Sequence, residues 1–251
     1  MLILISPAKS LNLDSKNSLK NFTTPHFSSE ATFLANQLKK LSAKDLEKLM
    51  DISPKLAELN HQRFQDFSPK FDFSNSKQAL LAFDGDVYKP INSAEFSAED
   101  FDFAQNSLRI LSGFYGILKP LDLIQPYRLE MGTNLKVGDA KNLYQFWSDK
   151  VSKYLNSEPA EEIINLASEE YFQAIDQKKI SAKIINVIFK EKKGDSYKIV
   201  GINAKKARGM MTRFIIKNRI NKSAALRKFS VENYSFSEKL SDENNFYFLK
   251  N

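Results

Sequence analysis

The chain has 251 residues and no cysteine. This excludes a disulfide framework, thiolate zinc sites, cysteine-held iron–sulfur clusters and thiol peroxidase chemistry. Histidine is almost absent as well. His26 and His61 are the only two, and each lies in a polar stretch, so a multi-histidine metal site or a serine–histidine triad lacks its ligands. Long apolar runs are missing too. Met1–Ile5 is apolar but far too short for a signal peptide or a span, and no later segment reaches the roughly 20 apolar residues a membrane helix needs. The expectation is a soluble cytoplasmic monomer with no membrane contact, no metal site and no cofactor.

What is present is a core and an excess of positive charge. The composition is 42% hydrophobic with 20 Phe, and the net charge is +7. Such a balance favours an acidic partner, most often nucleic acid. The charge is concentrated between Asn203 and Arg219, where Lys205, Lys206, Arg208, Arg213, Lys217 and Arg219 stand without one acidic residue. A solvated helix ordinarily mixes signs, because opposite charges three or four apart support each other. Crowded like charges repel, and an outside anion, phosphate foremost, would relieve the cost. Met210, Met211, Phe214, Ile215 and Ile216 interleave with them. The alternative is therefore a solvated basic face docked by its apolar stripe.

The pattern along the chain predicts a short buried strand at Leu2–Ile5, then an irregular polar loop over 12–27. Helices are predicted from Ser28 or Ser29 to Leu41, with Phe33, Leu34, Leu38 and Leu41 inward, and from Ser42, where Asp45 completes a capping box. A third starts at Pro54, with Leu56, Leu59 and Phe64 inward. Ala79–Phe83, Leu108–Leu111 and Ile163–Leu166 read as buried strands. Ser97 with Asp100 marks a helix start, Asn142–Leu155 is helical, and Ser168–Ile175 follows its strand as a helix. Lys183–Lys190 and Tyr197–Val200 alternate around Lys193-Gly194-Asp195 as a β-hairpin. The basic run is helical from Lys205 to Asn218, and Phe229–Tyr234 and Asn245–Leu249 close the chain as strands. Without a repeat or a clear linker, this is one domain, 1–251, of mixed α/β class with a mixed sheet between helical layers.

Four predicted strand ends run into small or charged residues: Ser6/Lys9, Asp84/Asp86, Ser112/Tyr115 and Asn165/Ser168. In open α/β sheets, binding residues gather at such exits. Asp84 and Asp86 could share a divalent cation or a proton, or simply shape an Asp-Gly turn. Arg128 could clamp a phosphate or pair with Glu130. The loop after Leu2–Ile5 is no P-loop, because its glycines are missing. Ser42–Phe64 has the outline of a helix-hairpin-helix, in which the hairpin, including Ile52 and Ser53, offers amides to a phosphate while Lys44, Lys48, Lys55 and Arg63 add charge. An ordinary αα-hairpin is the other reading, since the usual Gly-x-Gly is absent.

Six segments in order resemble the YaaA family of bacterial peroxide-stress-resistance proteins. They are Leu4-Ile-Ser-Pro-Ala-Lys-Ser-Leu11, Ala82-Phe-Asp-Gly-Asp-Val-Tyr-Lys89, Arg109-Ile-Leu-Ser-Gly-Phe-Tyr-Gly-Ile-Leu-Lys-Pro-Leu-Asp122, Pro126-Tyr-Arg-Leu-Glu-Met-Gly132, Ile164-Asn-Leu-Ala-Ser-Glu-Glu-Tyr-Phe172 and Ala204-Lys-Lys-Ala-Arg-Gly-Met-Met211. The resemblance implies a single cytosolic α/β domain with a positively charged cleft. It also implies DNA binding through a helix-hairpin-helix, falling on about 42–65 here, and a part in limiting iron-dependent oxidative damage. Pro90, where the family usually has Gly, departs from the pattern, and Thr212 and Phe214 are milder changes.

Three functions compete at this point. The first is a DNA-binding stress protein, taking duplex or branched DNA by backbone and shape. Its cleft would be lined by Lys9, Lys89, Lys205, Lys206, Arg208 and Arg213, with Ser6, Ser112, Glu130, Asn165 and Ser168 nearby. The second is an enzyme acting on a phosphorylated or nucleic-acid substrate in the same cleft, with Asp84, Asp86, Tyr115 and Arg128 as catalytic candidates. The third, iron sequestration by carboxylates, ranks last because no dense ligand cluster is evident.

Overall fold

The computed structural model describes residues 1–14 and 19–251. Part of the predicted polar loop therefore lies outside the described residues. The four apolar residues Leu2–Ile5 form β1, fully buried at the centre of the main sheet. Buried on both faces, such a strand needs no polar alternation. A two-residue strand, β2 (Ser10–Leu11), follows.

Three helices come next. The first, α1 (Ser28–Leu38), starts without a side-chain cap and ends before Leu41. Leu34 and Leu38 are buried as predicted, but Phe33 is 43% exposed and stacks on Phe146. The second, α2 (Ala43–Met50), has both halves of the predicted Ser42/Asp45 capping box. The third, α3 (Pro54–Asp66), has Pro54 in its first turn and packs against α2 across a short link with Asp51 in the left-handed region. Its inward face differs from the prediction. Ala57, Asn60 and Phe64 are buried, whereas Leu56 and Leu59 are exposed.

The stretch predicted as one strand over Ala79–Phe83 is broken up. Most of it is a helical turn, α4 (Ala79–Ala82), set between β3 (Lys77–Gln78) and β4 (Phe83–Asp84). A short apolar run of this kind carries no period that separates a strand from a helical turn. Two helices follow, α5 (Tyr88–Ile91) and α6 (Ala98–Ser107), the latter with the Ser97/Asp100 capping box.

The next strands are β5 (Leu108–Ser112), β6 (Gly116–Leu118) and β7 (Leu123–Ile124). Asn142 caps α7 (Leu143–Ser157), whose Trp147 indole donates to the Gly113 carbonyl at 2.9 Å and ties the helix to the exit of β5. The chain continues through β8 (Glu162–Asn165) and α8 (Glu169–Phe172), shorter than predicted. The predicted hairpin is β9 (Lys183–Lys193) with β10 (Ser196–Lys198), turning at Gly194 with φ 61°. The basic run lies on α9 (Gly201–Lys217). The strand expected at Phe229–Tyr234 begins only at Tyr234, as β11 (Tyr234–Phe236), and β12 (Asn245–Lys250) is the last strand along the chain.

The eight-stranded mixed sheet runs β11-β12-β9-β8-β1-β5-β6, with β10 on β9. The neighbours from β12 through β9, β8 and β1 to β5 are parallel, and β6 and β11 are antiparallel. From β1 the chain next joins this sheet at β5 on one side, while from β8 it passes to β9 on the other. The sheet order thus reverses between β1 and β8. In parallel sheets that is where a crevice opens beyond the carboxyl ends of the strands. Among the described residues no helix is long and apolar enough to cross a membrane.

Candidate functional site

A cavity of about 280 Å³ lies at that reversal. Ser6 follows β1 and Ser168 stands three residues beyond β8, and the two meet. The Ser6 hydroxyl accepts the Ser168 amide at 2.8 Å and lies 3.2 Å from the Ser168 hydroxyl. The Ser6 carbonyl accepts the Tyr88 hydroxyl at 2.9 Å, which brings α5 to the same corner. Pairing of β2 with β4, Ser10 opposite Asp84, carries the Asp84-Gly85-Asp86 turn to the cavity wall.

The remaining wall comes from α9, which contributes Lys205 and Arg208. Gly209 makes this possible. A Cβ there would lie 2.0 Å from the Val87 carbonyl oxygen, so only glycine lets α9 rest against the turn before α5. Gly113 acts similarly beneath the opposite rim, where a Cβ would meet the Leu129 carbonyl oxygen at 2.5 Å. That contact positions Glu130, whose carboxylate binds Lys9 at 2.7 Å and Arg128 at 3.0 Å. Arg128 is thus committed to an ion pair, and its Nε is buried without a partner.

The electrostatics are mixed rather than uniformly basic. Lys9, Lys205 and Arg208 face Asp84, Asp86, Glu130 and Glu170. Glu130 is neutralised as described, and Glu170 accepts the Gly132 amide at 3.1 Å. Asp84 and Asp86 make no ion pair or side-chain hydrogen bond with a described residue, and neither do Lys205 and Arg208. Arg208 is half-buried, and that burial pulls its guanidinium below its ordinary pKa.

The basic run itself divides in two. Arg213 pairs with Glu95 at 2.6 Å and donates to the carbonyls of Ile91 and Asn92. Lys217 and Arg219 grip the carboxylate of Asp100 at 2.7 and 2.6 Å. The repulsion expected along the segment is therefore relieved at its C-terminal half from within the protein. It persists at Lys205, Lys206 and Arg208.

Several predicted residues stand elsewhere. Ser112 and Tyr115 are fully buried and do not line the cavity. The Ser112 hydroxyl lies 2.7 Å from that of Tyr127, and the Tyr115 hydroxyl accepts the Gln125 amide. Asn165 binds Asn186 across the sheet. Lys89 is exposed beside the cavity but does not line it, and Lys206 faces a separate hollow with Glu191 and Lys250. Lys44, Ser53 and Lys55 are exposed on α2 and α3, where Ser53 caps α3, while Ile52 and Arg63 are half-buried. None of these five lines the strand-end cavity. Among the described residues no group of three or more His, Cys, Asp or Glu could hold a metal ion alone. Sequence reasoning missed Tyr88, Glu170 and Tyr171 as cavity residues. Their signals are proximity, four residues past Asp84 and two and three past Ser168, and a place within the segments that resemble the family.

Comparison with known proteins covers nearly the whole chain. A UPF0246 protein of Acaryochloris marina (strain MBIC 11017) is 49% identical over 253 residues, spanning 100% of each chain. A UPF0246 protein of Burkholderia vietnamiensis (strain G4 / LMG 22486) is 45% identical over 256 residues, spanning 100% of this chain and 98% of the relative. The family described as peroxide stress protein YaaA matches residues 1–240. With all of the elements that frame the cavity inside that match, the chain belongs to the peroxide stress protein YaaA family.

Proposed function

We propose that the protein serves the peroxide stress response by holding DNA, duplex or branched, through its phosphate backbone, and that it helps limit iron-dependent oxidative damage to that DNA. The observation that carries this reading is the split in α9. Lys205 and Lys206 are exposed on a helix whose first turn has neither an acidic residue nor a side-chain cap. A helix N-terminus is already positive, so unpaired lysines near it concentrate a potential that phosphate satisfies. Lys44 and Lys55 supply further exposed charge on the α2–α3 pair, acting as the phosphate-gripping hairpin. No base-reading set is evident, so recognition is by backbone and shape, and the protein works as a monomer.

Anisotropy titrations of duplex, branched and single-stranded DNA over a salt series test this. Four exposed cations, Lys44, Lys55, Lys205 and Lys206, give a log–log salt slope of about −3.6, and Lys205→Gln/Lys206→Gln makes it shallower by about 1.8. A salt-independent affinity, or a slope unchanged in the double variant, refutes the reading.

A second reading has its own observation. The carboxylates of Asp84 and Asp86 make no ion pair with a described residue in a cavity that also holds Arg208, a setting for an enzyme acting on a phosphorylated or nucleic-acid substrate. Metal-dependent processing of DNA that disappears in Asp84→Ala would establish it, and inertness of the wild type would remove it.

A further inference from the structure

We infer that the strand-end cavity is a binding site for a small phosphate monoester with a flat apolar body, of nucleoside monophosphate size, taken up together with a divalent cation. This deepens the second reading by naming the ligand class, and it stands whether or not DNA binds to the exposed face of α9.

Charge is the first argument. Asp84 and Asp86 lie on one cavity wall, and Lys205 and Arg208 on another. All four are without an ion pair to a described residue, so the protein holds opposite charges in one cavity without letting them neutralise each other. Leaving Arg208 half-buried and unpaired has a cost that a bound anion removes. A phosphate alone would settle the cations but face two free carboxylates. A cation alone would find too few ligands, since no described group of three acidic or imidazole side chains could hold one. Magnesium requires fewer protein ligands when it binds with a phosphate. One or two carboxylates, phosphate oxygens and water complete its shell. The two together satisfy Asp84, Asp86, Lys205 and Arg208, while Glu170 keeps its bond from the Gly132 amide.

Shape is the second argument. Tyr88, Tyr171, Val87 and Leu166 provide apolar wall beside the charged groups. The Tyr88 ring is fixed in place, because its hydroxyl donates to the Ser6 carbonyl. A volume of about 280 Å³ lies near the lower limit of small-ligand pockets. It suits a ligand with a body as well as a phosphate and excludes a duplex.

Isothermal titration with adenosine monophosphate and with inorganic phosphate, each with and without magnesium, tests the inference on the full chain. Wild type is expected to bind adenosine monophosphate about tenfold more tightly with magnesium than without it. Asp84→Asn/Asp86→Asn should abolish the magnesium effect, and Arg208→Gln should weaken binding in both arms. Lys206→Gln lies outside the cavity and should leave nucleotide binding intact while weakening DNA. Circular dichroism of each variant separates lost binding from lost fold. No nucleotide binding by wild type with magnesium, or no effect of magnesium, overturns the inference. Inorganic phosphate binding as tightly as the nucleotide overturns the role of the apolar wall. Nucleotide binding without DNA processing leaves the site standing and removes the catalytic reading. DNA processing without nucleotide binding does the reverse.

Discussion

Asp122→Asn is a perturbation whose size can be worked directly from the structure. Asp122 is 2% exposed, with its carboxylate accepting the Thr23 hydroxyl at 2.6 Å and the Lys119 amide at 2.7 Å. Burial outweighs both bonds and the nearby cations Lys119 and Arg109, and pushes its pKa up to about 6 from 3.8. A rise of about 2 units corresponds to about 3 kcal/mol. The folded protein holds this proton more tightly than the unfolded chain does. Stability from this group therefore rises as pH falls from above 6 toward 4, and is lost again as pH climbs back through 6. Asparagine keeps the Lys119 bond through its oxygen and reverses the Thr23 bond, its amide donating to the hydroxyl oxygen as a protonated Asp122 would, but it does not titrate. Chemical or thermal melts of both proteins across a pH series measure the effect, and the difference between them cancels every other titrating group. From about pH 8 to about pH 4 that difference should swing by roughly 3 kcal/mol in favour of wild type at the acid end. At roughly 2–4 °C per kcal/mol for a chain of this size, the shift in Tm is on the order of 6–12 °C. Parallel pH profiles for the two proteins would refute the reasoning.

Two further predictions concern the framework around α9. Burial alone would raise the pKa of Asp100, but hydrogen bonds from Lys217, the Ser97 amide and Arg219 hold its carboxyl well below the usual range. Its stabilisation is present above about pH 4 and is lost as pH falls further. Asp100→Asn should cost about 2 kcal/mol near neutrality, since the buried carboxylate loses its charge-assisted bonds while Lys217 and Arg219 are exposed enough to turn to water, and should flatten the acid limb of the stability profile. An unchanged acid limb would count against the ion pair. Gly209→Ala puts a methyl group 2.0 Å from the Val87 carbonyl oxygen, so α9 must move away from the turn that bears Asp86. A loss of roughly 1–3 kcal/mol should accompany weakened nucleotide binding, and wild-type melting with intact binding would contradict the close contact.

Local chemistry was the legible part of the sequence. Ser42 with Asp45 and Ser97 with Asp100 form the capping boxes their spacing predicts, and Gly194 turns the hairpin its flanks predict. These signals involve neighbours three residues apart or fewer, where backbone geometry leaves little choice. The misread positions depend on distant partners. Leu56 and Leu59 have helical spacing, yet α3 turns Ala57, Asn60 and Phe64 inward because of what it packs against. Ser112 and Tyr115 follow a strand end as Ser6 does, but the return of Tyr127 over them buries both. The basic run looked uniformly unsatisfied because Glu95 and Asp100, which neutralise half of it, lie far upstream in the chain. Of the four strand exits singled out, three contribute residues to one cavity, in keeping with a rule of sheet topology rather than any pattern along the chain.

The placement of β1 also sets the order of events in folding. Ile3 pairs with Leu108 on one side and with Ile164 on the other, so the central strand of the sheet has no local partner at all. During synthesis its four apolar residues wait until β5 has been made before gaining one neighbour, and until β8 before gaining the second. Loop-closure entropy must be met once for each of the two pairings at the centre, which makes slow folding the expectation. Over that interval Leu2–Ile5 is an open strand edge, the kind of surface that chaperones cover and that aggregates recruit.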